Sequence, residues 1–244
     1  MERLWSGISG STLKVIAIVT MLIDHIGAVI LERWLVWNAV TSGTYSYDPQ
    51  VLMVNQVLRS IGRVSFPIFC FLLTEGFLHT SSVVRYAVRL ACFALLSEIP
   101  FNLAISGSLF SGDYQNIFFT LLIGLLVMIF VDFVWKRCGT KIGSVLLGIG
   151  GIGLGMLLAE FLRTDYGAKG IIGIIVIYLF RQNSAQQALA GALAFCWELP
   201  APLGFLPVAF YNGRRGWRMK YVFYWFYPVH LLILYGIACC MGIG

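Results

Sequence analysis

Apolar runs of bilayer length recur from residue 13 to residue 240, broken by short polar links, and that spacing predicts a bundle of membrane-spanning helices. The first run, 13–31 (LKVIAIVTMLIDHIGAVIL), follows an amphipathic start that ends near Lys14. Residues 32–60 form the longest stretch expected to stay out of the bilayer. They carry Trp34, Trp37, a Thr-Ser-Gly-Thr-Tyr-Ser-Tyr-Asp-Pro loop and a VLMVNQVLRS segment with the apolar spacing of an interfacial helix. Further spans are predicted at 61–79, 84–104, 117–135 and 142–162, three short ones at 168–180, 187–199 and 203–211, and a last at 221–240. The expectation is an all-α polytopic bundle of nine spans, one membrane domain over 1–244. Its start lacks a small-residue cleavage site and is expected to be retained.

Composition agrees. Only 11% of residues are charged, 59% are hydrophobic and the mean hydropathy is +0.85, values that leave no polar surface for a soluble domain of this size. The six cysteines show neither CxxC nor Cys/His ligand spacing, so neither a disulfide framework nor a metal site is expected. The net charge of +6 reads as orientation, not as affinity for nucleic acid. With the N-terminus inside, all but Arg33, Arg59, Arg63, Arg163 and Lys169 of the 17 basic residues fall on the cytoplasmic side, and nine spans put the C-terminus outside. The protein is expected in the cytoplasmic (inner) membrane, against lipid.

Candidate chemistry begins with Asp24 and His25 inside the first run, because ionisable side chains in hydrocarbon face a bundle interior or a watery path. His25 is eleven residues from Lys14, about 16 Å of helical rise and so near mid-depth; His230 reaches a similar depth counted from Lys220. The two histidines could meet. The plain alternative for each is a core histidine bonded to a backbone carbonyl, and for His230 the preceding Tyr227-Pro228 kink offers one. Asp24 and His25 point about 100° apart, so Asp24 is expected to pair with an arginine on another span instead of orienting His25. Arg59 and Arg63 lie on one face of a helix. Glu98 and Asn102 at the outer end of the third span, with Asn116, Asp165 and Glu198 at the same level, complete a polar cluster suited to an acceptor entering from outside, or, more plainly, interfacial capping. Arg214, Arg215, Arg218 and Lys220 among aromatics, extended by Arg85 and Arg89, suit a phosphorylated, adenine-containing ligand; basic residues at span ends and an aromatic belt explain the same pattern without one.

The ordered set Lys14-x9-Asp24-His25-Ile26-Gly27, Arg59-x-x-Gly62-Arg63-x-x-Phe66-Pro67, Glu75-Gly76-Phe77-x-His79, Tyr86-x-x-Arg89, Ser97-Glu98-x-Pro100-Phe101-Asn102, Tyr211-Asn212-Gly213 and Tyr227-Pro228-x-His230 resembles the TraX family over nearly the whole chain. That family is named for N-acetylation of conjugative pilin and is similar to the wider acyltransferase-3 group. The resemblance implies transfer of an acetyl group from acetyl-CoA, without a metal, to a glycan, peptide or small-molecule acceptor. Arg85, Arg89, Arg214, Arg215 and Lys220 would then meet the donor's phosphates. His25 would be general base or acyl carrier, with Asp24, Arg63 and Glu98 in the catalytic group. Arg59, Asn102, Asn116, Asp165 and His230 would line the acceptor site. A proton-coupled transporter and a flippase-type envelope component are the competing classes.

Overall fold

The computed structural model describes residues 7–44, 46–139, 141–217 and 220–244, of which Lys220 is described in its backbone alone. Among these the chain is helical, with isolated bridges in place of strands. Six helices are long and apolar enough to cross a membrane: Gly10–Thr41, Pro49–His79, Val83–Ser106, Ile117–Cys138, Ile142–Phe161 and Tyr221–Cys240. They match six of the nine expected spans. The three short expected spans are instead the helices Gly167–Leu179, Ser184–Ala194 and Phe205–Ala209, of 13, 11 and 5 residues. Each is shorter than the roughly 20 residues that a hydrocarbon core requires.

The segment 32–60 also departs from expectation. Helix α1 (Gly10–Ile26) continues through a π-helical turn, Gly27–Leu31, into α2 (Glu32–Thr41). Helix α3 (Pro49–Gly62) runs through a short turn into α4 (Ser65–His79). Among the described residues of this stretch only 42–44 and 46–48 remain as loop. Charges that look like span ends in the sequence, Glu32 and Arg59, are partners within the protein, 3.2 Å apart, so they do not end the helices that carry them.

Two compact units emerge from the contacts: residues 1–69, 99–111 and 195–244, and residues 70–98 and 112–194. In the first, Ser9 caps α1 by accepting from the Thr12 N–H, while the Gly10 and Ser11 N–H groups donate to the carbonyls of Arg214 and Arg215 at 2.8 and 3.0 Å. The start of α1 is thus closed by the chain that precedes the last helix, α11 (Lys220–Cys240). Asp48 caps α3 through the N–H groups of Gln50 and Val51, with Pro49 at the first helical position. Helices α1 and α3 pack closely because Gly27 and Gly62 face across the seam. A Cβ on Gly27 would sit 2.8 Å from Asn55 Oδ1, and one on Gly62 would overlap the Asp24 side chain. Leu13, Ala17 and Val29 from the first span and Leu231 and Ala238 from α11 are fully buried. Around Phe195, rings of Phe66 and Phe205 stand 5.7 and 5.9 Å away.

The second unit is built on α6 (Ile117–Cys138), with α7 (Ile142–Phe161), α8 (Gly167–Leu179), α9 (Ser184–Ala194) and parts of α4 and α5 (Val83–Ser106). Leu125, Met128 and Val131 of α6 are fully buried, as are Ile171, Ile174 and Tyr178 of α8. The Tyr178 hydroxyl donates to Asp132 at 3.0 Å, which lets a phenol lie in the apolar interior. Asn116 caps α6: its Oδ1 accepts from Phe118 N–H, and its Nδ2 donates to the Ala94 carbonyl and to Glu98 Oε2.

Candidate functional site

The arrangement centres on two imidazoles, each half-way along its own span. His25 Nδ1 and His230 Nε2 are 2.8 Å apart, 205 positions separated in the chain. The other nitrogen of His230, Nδ1, lies 2.7 Å from the carbonyl oxygen of Phe226, one turn back on α11. A carbonyl only accepts, so His230 Nδ1 carries the proton and its Nε2 keeps a lone pair. His25 Nδ1–H therefore donates to His230, and in the neutral pair His25 Nε2 is left with the free lone pair. One carbonyl has in effect selected which atom of His25 is basic. His230 is buried, 5% exposed, stacked on Phe226 at 4.7 Å and edge-on to Tyr227; His25 is half-buried.

Beside this pair runs a polar ladder of Asn55 and Arg59 on α3 and Arg63 at its C-cap, which follow one another at four-residue intervals. Arg59 Nη1 donates to Asp24 Oδ2 at 2.7 Å and its Nε meets Glu32 at 3.2 Å, where Asn55 Nδ2 also reaches. Arg63 pairs with Glu198 Oε1 at 3.0 Å. Asp24 thus has the arginine partner expected of it. Glu198 takes a place that sequence spacing offered only as a level in the membrane; its partner is 135 positions away, and nothing local marks the pairing. Asp24 Oδ1 and Glu198 Oε2 are buried without a hydrogen-bond partner among the described residues, so two acceptor oxygens in this ladder still have capacity for a donor. Asn102 is 2% exposed, and its Oδ1 is likewise without a partner. Above the ladder Arg33 donates to the carbonyls of Leu103 and Ala104 at 2.8 and 2.9 Å, closing the end of α5.

The remaining predicted residues are distributed as follows. Glu98 and Asn116 are bonded to each other in the second unit, and the amide side chain and backbone N–H of Asn116 both aim at Glu98 Oε2. Asp165 is exposed on the turn before α8, its N–H bonded to the Gln115 carbonyl at 3.0 Å. Arg85 is exposed, and Arg89 is half-buried over the ring of Tyr86 at 5.6 Å. Arg214 and Arg215 have exposed side chains, while their carbonyls close α1. Asn212, from the Tyr-Asn-Gly motif, donates to the Gly7 carbonyl at 2.7 Å, which gives that motif a structural part in the same closure. Lys220 opens α11, and Arg218 lies outside the described residues. Among the described residues there is no cluster of three or more His, Cys, Asp or Glu able to hold a metal ion.

Comparison with known proteins gives one relative of note. The chain is 27% identical to the "Probable fimbrial assembly protein FimC, serogroup H1" of Dichelobacter nodosus, over 93% of this chain and 94% of that one. No solved structure matches. The family described as "TraX protein" matches residues 9–238, a range that takes in the histidine pair, the charge ladder and both ends of the α1 closure. A match of that extent covers both units, and the chain belongs to the TraX family.

Proposed function

We propose that this membrane protein is an acyltransferase that moves an acetyl group from acetyl-CoA to a hydroxyl or amine, with His25 as general base. The observation that supports it is the donor chain from His25 through His230 to the Phe226 carbonyl, which leaves a basic lone pair on a half-buried imidazole at mid-span. In the reaction, His25 Nε2 takes the proton from the acceptor O–H or N–H as the new bond to the acetyl carbon forms. The C–S bond then breaks, and the departing thiolate of CoA receives that proton. Positive charge arising on His25 strengthens its Nδ1–H bond to His230, so the second histidine stabilises the transition state more than the ground state. The open acceptor oxygens of Asp24 and Glu198, held by Arg59 and Arg63, suit the binding of a donor-rich acceptor. Arg214 and Arg215, whose side chains are exposed, are the proposed contacts for the phosphates of CoA, and a relationship to the acyltransferase-3 group belongs to the same reading.

The proposed location is the cytoplasmic membrane, with the N-terminus inside. The contacts Lys14–Phe223, His25–His230 and Arg33–Tyr235 ascend together in both numbers, so α1 and α11 run parallel. The start of each lies beside the other through the 210–215 segment. That run supports the reading of a C-terminus on the face opposite the N-terminus, as nine spans require. The name of the D. nodosus relative favours a place in fimbrial or pilus assembly, where the acceptor would be an envelope component.

The test is acetyl transfer by purified protein given acetyl-CoA and an envelope extract, read as CoA thiol release together with the mass gain of one acetyl group on a product. His25→Ala is expected to lower the rate by a factor of about 10² to 10⁴ while the protein remains inserted and monodisperse. Undiminished transfer by that variant would remove the mechanism; binding without transfer would favour an assembly component over an enzyme.

A further inference from the structure

The second unit contains a groove that neither the histidine pair nor the charge ladder uses. Its volume is about 310 Å³, at the small end of ligand sites, and it opens at the last turns of α6. Phe77, Val83, Ile129 and Phe133 make its apolar walls. Phe133 is 58% exposed, so one wall lies open where a membrane helix meets acyl chains. The polar edge is Asp132, Lys136 and Arg137.

The charges at that edge are unequal. Asp132 is occupied on both oxygens, by the Tyr178 hydroxyl at 3.0 Å and by Lys136 Nζ at 2.7 Å. Arg137 is exposed and has no ion-pair partner among the described residues. Two cations against one carboxylate leave a positive edge beside an apolar cleft, at the level where a span ends. Basic residues in the last turn of α6 are explained by the carbonyls exposed there. Those carbonyls do not account for a concave apolar wall running up to the same guanidinium. A ligand matching both features has hydrocarbon on one end and a phosphate on the other.

We infer that this groove binds one anionic phospholipid, with its phosphate on Arg137 and Lys136 and its acyl chain along Phe77, Ile129 and Phe133. The guanidinium supplies a charge-assisted contact that a zwitterionic headgroup offsets with its own cation.

The experiment is native mass spectrometry of the full chain in detergent, equilibrated with equal amounts of phosphatidylglycerol and phosphatidylcholine bearing identical acyl chains. The expected result is one retained phosphatidylglycerol in preference to phosphatidylcholine. Arg137→Gln is expected to reduce that preference about five- to tenfold. Lys141→Gln, a nearby basic residue that does not line the groove, should leave it unchanged. Val83→Trp, which fills the cleft without altering charge, should reduce retention of both lipids. A preference unaltered in Arg137→Gln overturns the inference, as does undiminished lipid retention in Val83→Trp or an equal loss of preference in Lys141→Gln. Competition by glycerol phosphate at concentrations matching the lipid would show a soluble phosphate site and overturn it as well. Each variant is compared by thermal midpoint with the parent, and Val83→Trp and Arg137→Gln fail the test independently of one another.

Discussion

The carbonyl of Phe226 is an ordinary backbone group, yet it decides which nitrogen of His25 is basic. His230 must place its proton toward that carbonyl, so it can only accept from His25. The proposed catalysis therefore depends on an acceptor at position 230 more than on an imidazole there. His230→Gln keeps an oxygen able to accept from His25 Nδ1–H, whereas His230→Leu removes it. Transfer by the leucine variant is expected to fall about 10-fold or more below that of the glutamine variant, the loss of one hydrogen bond to a charged group. Equal rates in the two variants would show that His230 acts only by packing. The place of His25 half-way along the first span is legible in the sequence because a single apolar run carries it. The partner is not, because 205 residues of chain separate the two rings and only the packing of the first and last spans brings them together.

At the level of elements, the seam between α1 and α3 carries the charges. The Asp24 side chain lies over Gly62, in the space a Cβ there would take, and from that place meets Arg59 at 2.7 Å. Gly62→Ala would place a methyl on the Asp24 carboxylate and force the helices apart. A drop of about 2 kcal/mol or more in stability is expected, with loss of transfer, from overpacking together with the separated ion pair. Gly153→Ala on α7, where an added Cβ meets nothing within 4 Å, is the control, expected to be neutral or to stabilise by up to about 1 kcal/mol through helix propensity. Thermal midpoints in one detergent compare them; equal shifts would show that the seam is looser than the geometry described. The same seam explains why 32–60 is hard to read from sequence. Glu32, Asn55 and Arg59 have the composition of an interfacial link, and only their mutual pairing allows the flanking helices to continue.

For the molecule as a whole, sidedness is the open consequence of the parallel α1 and α11. Reporter tags fused before residue 9 and after residue 244, probed with a membrane-impermeant reagent on intact and permeabilised spheroplasts, are expected to give opposite accessibility. Tags on the same side would break the link between the two histidine helices that the proposed chemistry needs. Such a result would also require a different account of the 210–215 closure of α1. The short helices α8, α9 and α10 (Phe205–Ala209) are where charge counting and helix length diverge. Charge counting asks for spans in 168–211, whereas the residues there form helices of 13, 11 and 5 residues.

What the sequence by itself determined is the membrane character, the helical class, six of the candidate spans and the place of His25 along the first of them, because each depends on apolar residues close together in the chain. Partner choice belongs to the tertiary structure: Glu198 for Arg63, His230 for His25, and the Arg214 and Arg215 carbonyls for the start of α1. Charges and imidazoles in a low-dielectric interior are set by whatever packing brings within about 3 Å, and such neighbours leave no local periodicity in the chain to announce them.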